Sequence, residues 1–474
     1  MIHTAGCRLE YLGCWANPYS HEEPRRDLEE RNRAPTGTIY MNADSLLVQS
    51  ALRKTTRRLI PFLFVLYIAA WLDRVNVGFA ALQMNSEIKF SAEAFGFGSG
   101  IFFLGYCLFE VPSNFLLHRI GARLWIARIM ISWGLVAAAM AFVRTPFSFY
   151  TLRFLLGVAE AGLFPGVIYY LSLWFPSADR ARAIAAFMLA IPVAGLLGGP
   201  LSGALLGLDG ACGLSGWQWL FLLEGLPSVA LGVWVLAYLT NGPQDATWLT
   251  PSERSALASR LNEEQRAIAA AHNIQPIAAL KDLTVWHLGS IFFLANLGFY
   301  AYSIWSPQII KSFVGASNLM VGVISGAISA VVIVVMLLNS AHSDRSGERR
   351  LHVAVPLFAM ACGFVAAASF GVSTLAIVSL ALVPIGMGAA YGPFWSMPTT
   401  FLSGRAAAGG IAMIATIVNL SGFLGPSLVG WLKGQSGGYA TGLWLLGAAS
   451  FAAAGATLAL RRGTQYHSNH TAKS

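Results

Sequence analysis

This sequence contains unusually few charged residues. Only 11% of its 474 residues are Asp, Glu, Lys or Arg, and 56% are hydrophobic, whereas soluble domains average about 25% charged residues. This composition excludes the class of water-soluble globular domains. We therefore predict an all-α polytopic membrane protein whose surroundings are a lipid bilayer.

The signatures of enzymes, metalloproteins and nucleic-acid-binding proteins are missing too. Five cysteines, scattered over the leading tail, two apolar segments and one loop, form no disulfide framework. None of the nine histidines has a second ligand at metal-binding spacing, and no GxxxxGK[ST] loop or nucleophile–base set occurs. No basic run is interleaved with aromatic residues, so the net charge of +9 indicates topology and not nucleic-acid binding. We expect no enzyme activity, no cofactor, no metal and no nucleic-acid partner.

Residues 1–58 contain no apolar stretch of signal-peptide length. They are polar, acidic and basic by turns, with little apolar periodicity, so we predict a disordered cytoplasmic tail. Met41 lies shortly before the first apolar run and is an alternative start. N-terminal mass spectrometry of the natively expressed protein tests this, because a peptide from residues 1–40 would exclude Met41.

Twelve apolar runs are long enough to cross a bilayer, which takes about 20 helical residues. The first six form a predicted N-terminal half, 59–239, and the second six a C-terminal half, 287–462. The predicted spans 1 to 12 are 60–81, 95–117, 122–143, 147–171, 183–207, 217–239, 287–308, 319–340, 351–371, 375–398, 406–432 and 439–461.

One long polar segment, 240–286, separates the halves, and residues 463–474 form a short C-terminal tail. The sequence TPSE at 250–253 is a capping box with proline at the first helical position, which predicts a surface helix through about Ala271. Lys and Arg are concentrated before span 1, after span 12 and in the loops after spans 2, 4, 8 and 10. Because cytoplasmic loops carry the excess of these residues, we predict that both termini and the central loop are cytoplasmic.

The two halves share landmarks at one fixed offset. The motif RIGAR at 119–123, after span 2, recurs as RSGER at 345–349, after span 8, and each residue is displaced by 226. The Gly-Pro pair at 199–200 recurs at 425–426, again 226 residues later. Two independent landmarks with one displacement indicate a six-plus-six duplication with parallel, pseudo-symmetric halves. We expect a substrate cavity between the halves near the membrane midplane.

These features resemble a known family. Twelve spans, DRxGxRR after span 8 and its degenerate copy after span 2 resemble the major facilitator superfamily over residues 55–465. The motifs WLDRVNVGFA, FEVPSNFLLHRIGAR, RFLLGVAEAGLFPG and WQWLFLLEGLP are similar to its anion:cation symporter family, which includes bacterial carriers of tartrate, phthalate, hydroxyphenylacetate and sugar acids. The resemblance implies a bacterial inner-membrane transporter of a small organic anion, which we expect to be a monomer. His118 stands where the superfamily's first signature usually has Asp, so the halves cannot form identical charge networks there.

Spans 1 and 4 of the N-terminal half each carry two charged residues in their interior: Asp73 and Arg74 in span 1, and Arg153 and Glu160 in span 4. A charge at the centre of a spanning helix costs roughly 2.5–3.5 kcal/mol on insertion scales, so such residues usually mark a pathway. At 100° per residue, Arg153 and Glu160 return to within about 20° of one helix face. Gly157 lies between them, so we expect a wall with an arginine, a gap without a side chain and a carboxylate, opposite Asp73 and Arg74.

This balance of two acids and two bases suggests coupling of an anion to a proton. With all four groups ionised, each acid neutralises a base and leaves no positive site for an anion. Protonation of Asp73 or Glu160 frees an arginine, whose planar fork binds a carboxylate through two hydrogen bonds. We predict Arg74 as the substrate-carboxylate ligand, Arg153 as the coupling base beside the substrate, and Asp73 and Glu160 as proton carriers; the resemblance assigns these positions similarly. The alternative is that both pairs are structural and lock spans 1 and 4 together.

Polar and aromatic residues in the middle of other spans are further candidate substrate contacts, although helix packing accounts for each one equally well. Tyr and Asn offer hydrogen bonds, and rings stack on an aromatic acid. These candidates are Tyr67, Asn76, Tyr300, Tyr302, Tyr391, Trp395 and Asn419. At the 226 offset the charged pair of span 1 falls on Phe299 and Tyr300. We therefore expect the N-terminal half to hold the coupling charges and the C-terminal half to shape specificity.

The signature loops after spans 2 and 8 are predicted to stabilise one conformation of the transport cycle. The predicted gating residues are Arg119, Gly121, Arg123, Asp344, Arg345, Gly347 and Arg349. Glu110, Arg128 and Glu224 lie nearer the span ends, and we interpret them as gate or interface residues rather than substrate contacts.

The leading hypothesis is a secondary active transporter that imports a small organic anion with protons as the coupling ion, by alternating access of the two halves. Two arginines suit a tartrate-like dicarboxylate, and the aromatic residues suit an aromatic carboxylate. One alternative is an exchanger or exporter of the same fold. Another is a transporter-like receptor that binds the anion without flux; it would need a signalling domain larger than the 58-residue leader and the central loop.

Overall fold

The computed structural model describes residues 43–271, 282–401 and 405–460, and within them the chain forms α-helices and no β-strand. Twelve candidate membrane spans occur among these residues, so the predicted all-α fold with twelve spanning helices is confirmed. Spans 1 to 6 are built from the helices Ala43–Ile88, Ala92–Ile120, Ala122–Ala139, Pro146–Glu160 with Leu163–Ser172, Ser177–Met188 with Ala190–Leu205, and Gly216–Tyr238. Spans 7 to 12 are Leu283–Val314, Asn318–Ser346, Arg350–Phe370, Thr374–Phe401, Arg405–Ser436 and Ala440–Ala459, and the helix Pro251–Ala271 lies between the two sets.

The helix of span 1 begins at Ala43, earlier than the predicted end of the tail at residue 58. Ala51, Thr55 and Leu59 are all fully buried, and their spacing of four residues places them on one helix face. Because this buried stripe continues the apolar face of the span, residues 43–58 are helical and the prediction of disorder was wrong for them. The predictions for residues 1–42 and 463–474 fall outside the described residues.

The capping box in the central loop is confirmed. Glu253 N–H donates to Thr250 Oγ1 at 3.3 Å, and Thr250 N–H donates to Glu253 Oε2 at 2.9 Å. The two residues thus satisfy each other's free backbone donors at the start of the helix. The helix runs over Pro251–Ala271, which matches the predicted end.

This loop helix is attached to the N-terminal half at two points. Lys54, in the first turns of the span 1 helix, lies 2.8 Å from Glu253. Arg180, at the start of span 5, forms a 3.2 Å ion pair with Glu264. Both contacts join the loop helix to the same half, so we describe it as a part of that half.

Span 4 is interrupted, although the sequence predicts one continuous span. Its first segment ends at Glu160, and Gly162 follows with a φ of 91°, in the left-handed region. A Cβ on Gly162 would also collide with the Ser113 side chain. Ser113 Oγ donates to the free Ala161 carbonyl at 2.6 Å, which satisfies the backbone at the break. Glu160 therefore lies at a helix end near the middle of the candidate span Pro146–Ser172.

The two halves meet in two helix pairs that repeat one another. Span 5 contacts span 8 where Gly199 approaches Gly322, and span 2 contacts span 11 where Gly96 approaches Gly430. Gly96 and Gly322 are separated by the same 226 residues as the other landmarks. A Cβ on Gly96 would lie 2.6 Å from the Pro426 carbonyl oxygen, so this approach requires glycine. The pseudo-symmetry predicted from the repeat is confirmed.

These contacts lie where span 1 ends and spans 2 and 8 begin, which we call the Ile88 end. Asn85 also donates to Gln308 there, at 3.4 Å, and Ser427 Oγ donates to the Gly96 carbonyl at 3.5 Å. The halves are closed against each other at the Ile88 end.

Candidate functional site

The centre of the site is an ion pair between span 1 and span 4. Arg74 Nη2 binds Glu160 Oε1, and the two side chains are 14% and 3% exposed. Glu160 reaches Arg74 from the last residue of the first segment of span 4, where the helix is interrupted. Irregular backbone at membrane depth is tolerated where it lines a cavity or is enclosed by protein. The break therefore positions the carboxylate against the arginine.

Aromatic rings surround the Arg74 guanidinium. Its Cζ lies 5.3 Å from the Trp71 and Tyr106 ring centroids and 5.4 Å from that of Phe102. Rings at these distances stabilise a cation that has lost its water. The arginine is thus held in a largely apolar box with one carboxylate as its ionic partner.

Arg153 lies deeper and is less well satisfied. Its side chain is 1% exposed, and Nη2 donates to the Ser99 carbonyl at 3.1 Å. Its Nε and Nη1 have no hydrogen-bond partner within the described part of the chain. The Phe102 ring lies 5.0 Å from its Cζ, on the side that faces Arg74. Arg153 is therefore a buried cation with two free donors.

Gly157 does not leave the expected gap between Arg153 and Glu160. A Cβ there would collide with the Phe102 carbonyl and lie 2.9 Å from the Tyr106 nitrogen. The backbone of span 2 fills the space, because glycine allows helices in lipid to approach closely. The wall is closed by span 2, so the two charged groups are reached from other directions.

Asp73 does not share this site. Its Oδ1 accepts from Asn76 Nδ2 and its Oδ2 from Ser228 Oγ, both at 3.2 Å. Consecutive residues of an α-helix point 100° apart, so when Arg74 faces Glu160, Asp73 faces span 6. The expected arrangement of two acid–base pairs is therefore replaced by the Arg74–Glu160 pair, an unpaired Arg153 and a separate Asp73.

Three of the predicted tyrosines are assembled around Arg74. Tyr67, Tyr300 and Tyr391 each interact electrostatically with its guanidinium. They come from spans 1, 7 and 10, so both halves contribute to the site. Tyr67 also stacks on Phe187 at 4.3 Å, which holds its ring in place.

The remaining predicted contacts lie elsewhere. Tyr302 is beside Ser306 in its own helix, and Asn76 belongs to the Asp73 neighbourhood. Trp395 touches the site through Tyr391, at 6.3 Å between ring centroids. Asn419 Nδ2 donates to Glu110 Oε2 at 3.3 Å.

Two residues of the site were not among the predicted substrate contacts. Glu110 lies within electrostatic range of Arg74 and bridges the halves through Asn419, which agrees with its interpretation as an interface residue. Tyr106 faces Arg74 from the same helix turn of span 2. The sequence signal for Tyr106 was present, because it is a midspan tyrosine like Tyr67.

The predicted gating residues form local contacts at the two signature turns. Arg349 pairs with Asp344 at 2.6 Å and donates to Ser343 Oγ at 2.9 Å. Arg123 donates to the Leu236 carbonyl of span 6. Gly121 and Gly347 occupy the two equivalent turns with φ of 95° and 67°, while the side chains of two arginines are exposed, namely Arg119 and Arg345.

Comparison with known sequences gives close matches. The sequence model of the Major Facilitator Superfamily matches residues 63–426. The chain is 50% identical over 423 residues to an Agrobacterium vitis protein named "Putative tartrate transporter", covering 89% of this chain and 96% of that one. It is 39% identical to an Acinetobacter baumannii protein named "Quinolone resistance transporter", covering 84% and 92%.

Comparison with solved structures shows the same fold. The inward-open structure of the xylose transporter XylE from E. coli matches with a TM-score of 0.69 and 13% identity, and the match covers 88% of this chain and 98% of that one. At this identity the likeness concerns the arrangement of helices alone.

Proposed function

The chain belongs to the major facilitator superfamily, it is a membrane transporter, and from that premise we propose that it imports a small organic anion together with protons. The observation that carries the proposal is the buried Arg74–Glu160 pair. An arginine that already has a carboxylate partner can exchange it for the carboxylate of a substrate. Proton binding is the event that would permit the exchange.

In this mechanism the protonation state of Glu160 controls whether Arg74 can bind an anion. While ionised, Glu160 neutralises Arg74 and no net positive charge attracts an anion. A proton on Glu160 removes its charge and releases the guanidinium, which leaves an uncompensated cation among aromatic rings. Such a cation is costly in a water-poor site, so it favours an incoming carboxylate. Proton and anion then bind together and are released together, which is symport.

Arg153 supplies the second anchor. Its two free donors lie beside the Phe102 ring that also contacts Arg74. Two arginines close to one another suit a substrate with two carboxylates, and Arg binds each through a planar fork. A tartrate-like dicarboxylate fits this pair, in keeping with the 50% identical relative named for tartrate. An aromatic carboxylate is the alternative, because Tyr67, Tyr300 and Tyr391 supply stacking surfaces.

Asp73 is the second proton carrier in the proposal, because a buried carboxylate with no cation in contact is the kind of group that a proton neutralises. In the proposal the protein works as a monomer in the bacterial inner membrane. Its two termini are cytoplasmic, which is the orientation that the Lys and Arg distribution favours. The C-terminal half contributes tyrosines rather than charges and sets specificity.

Uptake into proteoliposomes with an imposed proton gradient, acidic outside, tests the proposal. We expect tartrate to accumulate and to acidify the lumen, and we expect a protonophore to abolish accumulation. Glu160→Gln should still bind tartrate in a thermal-shift assay but lose gradient-driven accumulation, while Arg74→Ala should lose both. Glu263→Gln, on the exposed face of the loop helix, is the control. Accumulation that is indifferent to the protonophore, or intact in Glu160→Gln, would overturn proton coupling.

Export is the second candidate, favoured by the 39% identical relative whose name refers to quinolone resistance. The same protein in inverted membrane vesicles separates the two directions. Import predicts substrate efflux from such vesicles when the lumen is acidic. Export predicts accumulation inside them under the same gradient.

A further inference from the structure

Behind the Arg74 site lies a second cluster of polar groups in the N-terminal half. It joins Asp73 and Asn76 of span 1, Ser202 of span 5, and Glu224 and Ser228 of span 6. All five side chains are at least nine-tenths buried; Asp73 is 1% and Glu224 is 5% exposed. Two carboxyl groups thus share one interior pocket of polar atoms.

The hydrogen bonds of the two carboxyl groups are unequal. Both Asp73 oxygens accept a hydrogen bond, from Asn76 and from Ser228. In Glu224, Oε1 accepts from Ser202 Oγ at 2.9 Å, but Oε2 has no partner. Asn76 lies beside Glu224 as well as Asp73, and its carbonyl oxygen Oδ1 is also without a partner. Two neighbouring buried side chains therefore each have an acceptor atom without a donor.

The charges around the cluster make an ionised Glu224 costly. No Lys, Arg or His bonds either carboxyl group within the described residues. Span 3 contributes the neutral Trp133 beside Asp73, and span 4 contributes Arg153 and Glu160, which act on Asp73 from a distance. Glu224 therefore faces Asp73 as its one close charged neighbour, and a second negative charge there would be unpaired and out of water.

We propose that Glu224 binds a proton in this conformation and donates it from Oε2 to Asn76 Oδ1, so that Glu224 and Asp73 together hold one proton behind the substrate site. The proton comes from water, and no other bond changes. One hydrogen satisfies both unpartnered acceptors, and Asn76 then connects the two carboxyl groups by accepting from one and donating to the other. Asp73 keeps the negative charge because two donors already serve its oxygens.

This site is distinct from Glu160, which has an arginine partner. Its link to transport rests on the proposed function. If Asp73 gains and loses a proton in the cycle, the charge of Glu224 changes the free energy of protonating Asp73. The bound proton itself depends on the five side chains and not on transport. The two ideas can therefore fail separately.

Infrared difference spectroscopy on the purified full-length protein detects the proton directly. The C=O stretch of a buried carboxylic acid should be present at neutral pH without substrate and should shift in D₂O. We expect Glu224→Gln to lose this band, while Glu160→Gln and the exposed Glu263→Gln keep it. Because Gln can donate to Asn76 as the protonated acid does, Glu224→Gln should keep the wild-type melting temperature. A band that is unchanged in Glu224→Gln would overturn the proposal.

Asn76→Ala provides a second test that does not remove the acid. Its band should remain and move to higher frequency, because the acid O–H has lost its acceptor; no movement would contradict the assigned hydrogen bond. Sodium is the other cation that these oxygen atoms suit. A carboxylic-acid band that appears only after sodium is replaced by choline would overturn the bound proton in favour of a bound sodium ion. A band lost in Glu224→Gln would stand even if proteoliposomes showed no proton-driven uptake.

Discussion

In the proposed function, Arg153 is a single residue whose free donors await a ligand. It is a guanidinium with 1% exposure, one hydrogen bond to a carbonyl, and two donors without partners in the described residues. Buried donors are normally satisfied, because each unmade hydrogen bond costs about 1–3 kcal/mol. The proposed explanation is a substrate carboxylate that accepts from both donors.

Arg153→Lys should therefore weaken tartrate binding about tenfold, which corresponds to about 1.4 kcal/mol. The charge is retained, but the planar pair of donors is lost. The measurement is the dissociation constant by calorimetry at pH 6. Arg144→Lys is the control, because the Arg144 side chain is exposed in the loop between spans 3 and 4. Equal loss of affinity in both variants would show a general effect of arginine on folding.

At the scale of elements, the break in span 4 positions the Glu160 carboxylate. Gly162 adopts the left-handed conformation that ends the first segment directly after Glu160. Ser113 of span 2 completes the break with a hydrogen bond to Ala161. On a continuous helix, the direction of the Glu160 side chain would follow from the rotation of 100° per residue. The interruption gives the side chain an orientation that periodicity does not describe.

The loop helix is the second such element, and its attachment should depend on pH. The Lys54 ammonium, assisted by hydrogen bonds from Ser50 and Thr250, lowers the pKa of Glu253 from its ordinary value of 4.5 to about 2. A lowered carboxylate pKa stabilises the folded state above the ordinary value, and the stabilisation is lost as the pH falls through the folded value. The contribution of this ion pair to docking should thus be complete above pH 4.5 and lost between pH 4.5 and about 2.

Hydrogen exchange of the loop helix, corrected for intrinsic rates, measures this docking. Protection should fall several-fold at most over that pH range in the wild type, and in Glu253→Gln it should be lowered by a similar factor at every pH. The effect should be less than about 1 kcal/mol, because Lys54 is partly exposed and water screens the pair. Glu263→Gln on the same helix is the control. Full protection of Glu253→Gln would mean that other contacts hold the helix.

At the scale of the whole molecule, two glycine seams hold the halves together at the Ile88 end. Gly199 of span 5 and Gly96 of span 2 each let a partner backbone approach closely. In the proposed topology the Ile88 end faces outside, so in alternating access it must open for substrate to enter. A larger residue in a seam should therefore favour the open state, because it clashes in the closed state alone.

Gly199→Leu should slow tartrate uptake about fivefold or more while leaving binding intact. Overpacking costs about 1–3 kcal/mol, which corresponds to a roughly 5–150-fold shift between the two states. Ser325→Cys, in a background without the five native cysteines, reports the opening, since Ser325 Cβ lies 3.2 Å from the added Cβ. An impermeant maleimide added from outside should label it faster in Gly199→Leu.

Gly207→Leu is the control for this experiment, because a Cβ at Gly207 meets nothing within 4 Å. It should transport and label like the wild type. Slow uptake in Gly199→Leu with unchanged labelling would contradict a shift of state and would indicate local damage.

The sequence by itself determined the class of protein, the twelve spans, the repeat and the charged residues of spans 1 and 4. Length and apolarity decide which segments cross a bilayer. The fixed offset between the repeated motifs can be read from the sequence, because it does not depend on how the helices pack. It also identified the capping box, because the interaction is local to four residues. The helical start at Ala43 was missed, since its buried face becomes visible only against the residues that cover it.

The partners of the charged residues were decided by the tertiary structure. Helical periodicity placed Arg153 and Glu160 on one face, but the break at Gly162 and the filling of Gly157 by span 2 set what each one touches. The separation of Asp73 from Arg74 follows from the direction in which span 1 faces its neighbours. That direction depends on the packing of spans 4 and 6 against it, which no pattern within span 1 records.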